Sequence, residues 1–132
     1  YYIQYAHARI CRVLERTEER GIKVDDKAGK AHQHLLTQPV ETDLLSLLAS
    51  YPEVLRRAAV NYEPHLLTNY LKDLASLFHG WYNDNRSLPQ DGETPTQGER
   101  DLMQARLRLS KSVRQVIQNG LILLGLTAPT SM

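Results

Sequence analysis

Apolar residues recur at three- and four-residue steps along most of this chain, and no segment alternates apolar and polar positions as a half-buried strand would. Ile3, Ala6, Ile10, Val13 and Leu14 share one face of a first helix. Tyr5, Arg9, Arg12 and Arg16 share the opposite face, with Tyr1 near it. Gly21 stands where a helix C-cap would fall. From Ile22 to Gln38 polarity is mixed without period, which predicts a surface loop or a short irregular element. Thr42 or Asp43 can cap the next apolar run, Leu44 to Ala49. Pro52 then breaks that run and suits the first turn of a helix ending near Asn61. Pro64 opens the strongest helical signal, with Leu67, Tyr70, Leu71, Leu74, Leu77, Phe78 and Trp81 on one face. Arg86 to Gln97 carries Pro89, Gly92 and Pro95 and reads as an exposed loop. A last helix is expected from about Glu99 to Asn119, with Leu102, Ala105, Leu109, Val113 and Val116 inward and Gly120 ending it. These elements predict an all-α bundle of about five helices, with Ile10, Leu71, Leu74, Phe78, Leu109 and Val113 in one core.

Length and composition agree. At 132 residues the chain is sized for one domain, 1–132, and its 42% hydrophobic content can build a core. A single cysteine, Cys11, excludes a disulfide framework and a cysteine-rich zinc scaffold. No apolar run approaches the ~18 residues of a membrane span, and no signal peptide opens the chain, so a reduced cytoplasmic setting is the expectation. The chain starts at Tyr1 without a methionine, as a piece of a longer protein would. Its net charge of +1 neither demands nor excludes a polyanionic partner; any such partner requires the basic residues to be sorted onto one surface.

The residues hold no catalytic constellation. Five histidines are present, but His32 and His34 are two apart, and His7, His65 and His79 fall in separate segments, without the spacing of a metal-binding helix. Gly29-Lys30 lacks the rest of a phosphate loop. Asp25-Asp26 lies in a polar stretch, and Cys11 borders an apolar face, as a structural thiol does. The Tyr5–Arg9–Arg12–Arg16 stripe is different. Guanidinium groups pair with phosphate and stack on bases, and tyrosine rings offer platforms for unstacked bases. The alternative is a solvated face ion-paired to Glu15, Glu18 and Glu19. Trp81 continues an apolar face, and Tyr82 lies at its margin near Arg86. Arg106 falls on the apolar face of the last helix, where it must snorkel or find a carboxylate.

Three separated blocks carry a family resemblance: Tyr1 to Ile10 (YYIQYAHARI), Tyr62 to Asn83 (YEPHLLTNYLKDLASLFHGWYN) and Val113 to Met132 (VRQVIQNGLILLGLTAPTSM). In this order they resemble the C-terminal, anticodon-binding domain of arginyl-tRNA synthetases, over nearly the whole chain. The resemblance implies a class I arginine–tRNA ligase as parent, using ATP with Mg, whose catalytic domain belongs to the same chain. Neither its His-Ile-Gly-His type motif nor its lysine-rich loop is in this sequence, which is therefore expected to bind without catalysing or holding a cofactor. The resemblance implies the anticodon loop of tRNA(Arg) as partner, no membrane, and a monomer. By the same resemblance Tyr2, Tyr5 and Arg9 face that loop, Tyr82 contacts it from the end of the central helix, and Met132 lies near it. Arg86 falls where some relatives place another large side chain. The segments 22–38 and 87–97 match no pattern and receive no function. The alternative is an all-α packing or partner-binding domain that keeps the fold without touching RNA.

Overall fold

A computed structural model describes residues 1–85, 88–90 and 92–132, and among them the chain is all-α with no strand. Among the described residues six helices form: α1 (Tyr2–Glu19), α2 (Asp26–Ala31), α3 (Pro39–Ala49), α4 (Tyr51–Val60), α5 (Pro64–Asp84) and α6 (Gln97–Leu123). A 3-10 turn, Gln33–Leu35, follows α2. Helix α5 is central and touches α1, α3, α4 and α6, while α2 lies on α6. The six residues expected in one core share it, joined by Ala6, Leu44, Leu67, Trp81, Leu107, Ile117 and Leu121 among others.

Helix α1 ends as its glycine predicts. Gly21 adopts φ +71°, its N–H reaches the Glu18 carbonyl (2.9 Å), and the Ile22 N–H reaches that of Thr17 (3.0 Å). Between α4 and α5 a similar closure forces Tyr62 into the left-handed region at φ 53°. Pro64 then occupies the first position of α5, where its missing N–H costs nothing.

Three expectations are corrected. First, α2 stands inside the stretch 22–38. It is too short and polar to show a period, but Asp25 caps it by accepting from the Ala28 N–H (3.1 Å). The polar side of α6 fastens the segment: Gln104 bonds the Asp25 N–H and the Lys23 carbonyl, and Lys111 pairs with Asp26 at 2.9 Å. Gly29 makes the close approach possible, since a Cβ there would lie 2.8 Å from Arg108 Cβ and from the Gln104 carbonyl oxygen.

Second, α3 begins at Pro39 and not at Thr42 or Asp43. Pro39 takes the first helical position, and the Gln38 N–H donates to Glu41 Oε1 (3.2 Å). Glu41 is fully buried. Its Oε2 accepts from Trp81 Nε1 (3.1 Å) and from Arg106 Nε (3.3 Å), which resolves Arg106 in favour of a carboxylate partner. Asn85 completes the network, accepting from Gln38 Nε2 (2.7 Å) and donating to the Trp81 carbonyl (3.1 Å).

Third, α6 starts at Gln97, capped by Thr96 and Glu99 in a reciprocal box, and runs through Gly120 to Leu123. Gly125, at φ +75°, provides the left-handed cap; its N–H meets the Ile122 carbonyl (3.0 Å), and the Leu126 N–H meets that of Leu121 (2.8 Å). Gly120 serves packing instead, for a Cβ there would stand 2.6 Å from Leu71 Cδ1. Leu71 is itself fully buried, so its methyl groups would have to shift within the core. Gly120→Ala should therefore lower the unfolding free energy by about 1–3 kcal/mol, the usual cost of overpacking, as read by chemical denaturation.

Candidate nucleic-acid interface

The N-terminal half of α1 meets the C-terminal end of α5, and the sequence-predicted stripe lies along that junction. Arg9 is held by two acceptors of α5: Nη1 donates to His79 Nδ1 (2.8 Å) and Nη2 to Asn83 Oδ1 (2.7 Å). Its Cζ stands 4.9 Å from the centroid of the Tyr82 ring, within cation–π range. Tyr82 is half-buried and stacks on Phe78, with centroids 5.7 Å apart and planes 17° from parallel. Tyr2 and Tyr5 lie against His79, their ring centroids at 5.4 and 5.5 Å. They remain 47% and 46% exposed, so each keeps ring surface for another partner.

A groove of about 710 Å³ runs beside this junction. Its described lining includes Tyr5 and Tyr82 together with Arg9, Arg12, Arg16 and Arg20, and no carboxylate. The stretch 88–90 also borders it, and Arg20 Nη1 donates to the Pro89 carbonyl (2.6 Å). Among the described residues none of Arg9, Arg12 and Arg16 pairs with Glu15, Glu18 or Glu19. A chain of nearly balanced charge thus sorts four arginines into one concavity.

The C-terminal tail crosses α1 beside the stripe. Gln4 Nε2 donates to the Thr127 carbonyl (3.1 Å), His7 Nδ1 to the Pro129 carbonyl (2.7 Å), and Arg12 Nη2 to the Met132 carbonyl oxygen (3.4 Å). A carbonyl only accepts, so the His7 proton sits on Nδ1. Met132 is thereby placed next to Arg12, with its side chain about half exposed. The structure accordingly gathers Tyr5, Arg9, Arg12, Arg16 and Tyr82 around one groove; Tyr2 adjoins it through His79 and Met132 through Arg12, and Arg86 lies outside the described residues.

Sequence reasoning missed His79 and Asn83. Their signal was available, since His79, Tyr82 and Asn83 stand at i, i+3 and i+4 on one edge of α5. An arginine cannot accept, so His79 Nδ1 is unprotonated and its proton sits on Nε2, which is buried without a partner among the described residues. Burial, and then the Arg9 charge, hold the His79 imidazole below its ordinary pKa of 6.5. No group of three or more His, Cys, Asp or Glu side chains stands together as a metal site among the described residues.

The fold and this groove define an all-α module with a cationic, aromatic-lined concavity. The chain belongs to the DALR anticodon binding domain family, whose model matches residues 3–132. It is 67% identical to the arginine–tRNA ligase of Psychrobacter sp. (strain PRwf-1), 64% to that of Psychrobacter cryohalolentis and 52% to that of Acinetobacter baumannii (strain AYE). Each match takes in all of this chain, which spans about a fifth of those relatives' length (22%, 22% and 21%).

The lowered His79 pKa sets a direction for stability. The unfolded chain binds the proton more readily, so this contribution is complete above the ordinary value of 6.5 and is lost as pH falls toward the folded one. Denaturation curves of the wild type and His79→Asn should differ by a constant amount at about pH 7–8, with the gap shifting in favour of the variant by about pH 5.

Proposed function

We propose that the α1–α5 groove binds the anticodon loop of an arginine-accepting tRNA, within an ATP- and Mg-dependent arginine–tRNA ligase. The observation that carries this is a groove of four arginines and two tyrosines with no carboxylate in its described lining. A tRNA anticodon loop is a short single strand whose bases can be splayed. Tyr2 and Tyr5 offer ring faces for stacking, and the Arg9–Tyr82 pair offers a third platform. Arg12 and Arg16 are placed to neutralise phosphates, with Met132 at the rim and Arg86 assigned to the same loop by resemblance. The domain's own role is to orient tRNA(Arg) for a catalytic domain elsewhere in the same chain. It holds no cofactor itself and acts in a cytoplasmic monomer. No helix of the described residues is long and apolar enough to cross a membrane.

Binding to an arginine-accepting tRNA transcript, measured with the full-length ligase, tests this. Tyr5→Ala should cost about 1–3 kcal/mol of affinity, the worth of one base–aromatic stack, and leave the melting temperature unchanged. Arg16→Ala should flatten the slope of log Kd against log salt by about 0.7–1. A helical packing domain without RNA contact gives the opposite pattern, with both variants binding tRNA as the wild type does.

A further inference from the structure

We propose that His79 and Asn83 are positioning residues that hold the Arg9 guanidinium over Tyr82, so that RNA meets a preformed cationic platform; this rests on the groove being the RNA site. Both acceptors lie on one edge of α5, a single turn apart, and bond different nitrogens of the same guanidinium at 2.8 and 2.7 Å. That geometry fixes the fork in two directions, while the ring of Tyr82 at 4.9 Å supports its plane.

The chemistry of the two acceptors is the telling feature. A carboxylate would hold an arginine as firmly, but would cancel the charge that the platform offers to RNA. An imidazole lone pair and an amide oxygen are neutral, so Arg9 stays ordered and keeps its full charge. Three of its five N–H groups remain available for a ligand after the two bonds are made. The burial and neighbouring charge that keep the His79 imidazole neutral also keep Nδ1 an acceptor. His79 is in turn covered by Tyr2 and Tyr5, so one imidazole joins the arginine platform to both exposed rings. Ordering a long side chain in advance removes a cost that binding would otherwise carry.

The test uses the full-length ligase and an arginine-accepting tRNA transcript, with Kd measured across a range of KCl concentrations. His79→Leu removes the acceptor and should raise Kd by about three- to tenfold. Its salt slope should match the wild type, because no charge is lost. His79→Asn offers an amide oxygen close to the position of Nδ1 and should bring Kd back to within about twofold. In an Arg9→Ala background His79→Leu should have no further effect, since it acts through Arg9. A purely structural role predicts instead an equal loss in both backgrounds and no rescue by asparagine; that result would overturn the proposal. Should His79→Leu melt below the assay temperature, Asn83→Ala at its exposed position carries the same double-mutant comparison. Losses with Arg9→Ala and Tyr5→Ala but none with either clamp variant would sink the clamp and leave the RNA site standing. Wild-type affinity in Arg9→Ala and Tyr5→Ala would remove both.

Discussion

Every other helix but α2 packs against α5, and that single constraint organises the domain. A helix flanked by α1, α3, α4 and α6 must be apolar over more than one stripe. Leu67, Tyr70, Leu71, Leu74, Ala75, Phe78 and Trp81 supply that surface. The closeness of α6 to α5 follows from one small feature, the absent side chain of Gly120 under Leu71. At its C-terminal end α5 turns polar on one edge, where His79, Asn83 and Tyr82 meet α1. The groove is thus a direct product of the core: the residues that anchor α5 also fix the residues that face the arginines.

Glu41 imposes the second condition. Its carboxylate lies out of reach of water and is balanced by the Arg106 guanidinium and the indole N–H of Trp81. Such a pair contributes little net stability, because desolvation offsets most of the attraction. Losing one partner is another matter and costs about 3–5 kcal/mol. Glu41, Trp81 and Arg106 come from α3, α5 and α6, so any arrangement that separates these helices leaves a charge buried alone. The network also reaches Asn85 just past α5, next to the edge that carries Asn83 and Tyr82.

Most of the fold was legible because long helices write their period into the sequence. The core residues of α1 and α5, the proline at the start of α5 and the glycine after α1 all stood out. What was not legible depended on contacts between distant segments. Helix α2 has no period of its own and exists through its cap and the polar side of α6. Gly120 looks like a terminator in sequence, and only the closeness of Leu71 shows it to be a packing residue. Glu41 carries no mark of burial in the sequence, and its partners Trp81 and Arg106 are brought to it only by the fold. In the candidate site, helical spacing located Tyr5, Arg9, Arg12 and Arg16, and resemblance added Tyr2, Tyr82 and Met132. His79 and Asn83 were passed over because their shared edge with Tyr82 shows only spacing in the sequence, and their role appears once Arg9 from another helix bonds them.

Whether the α1–α5 groove holds the anticodon loop is tested most directly by zero-length photocrosslinking. An arginine-accepting tRNA carrying 4-thiouridine within its anticodon loop would be bound to the full-length ligase and irradiated, and the crosslinked peptides mapped. Crosslinks should fall in the N-terminal part of α1 around Tyr2 and Tyr5 and at the end of α5 around Tyr82. Efficient crosslinks confined to α2, α3 or α4, or none to this domain while the RNA is fully bound, would contradict the assignment.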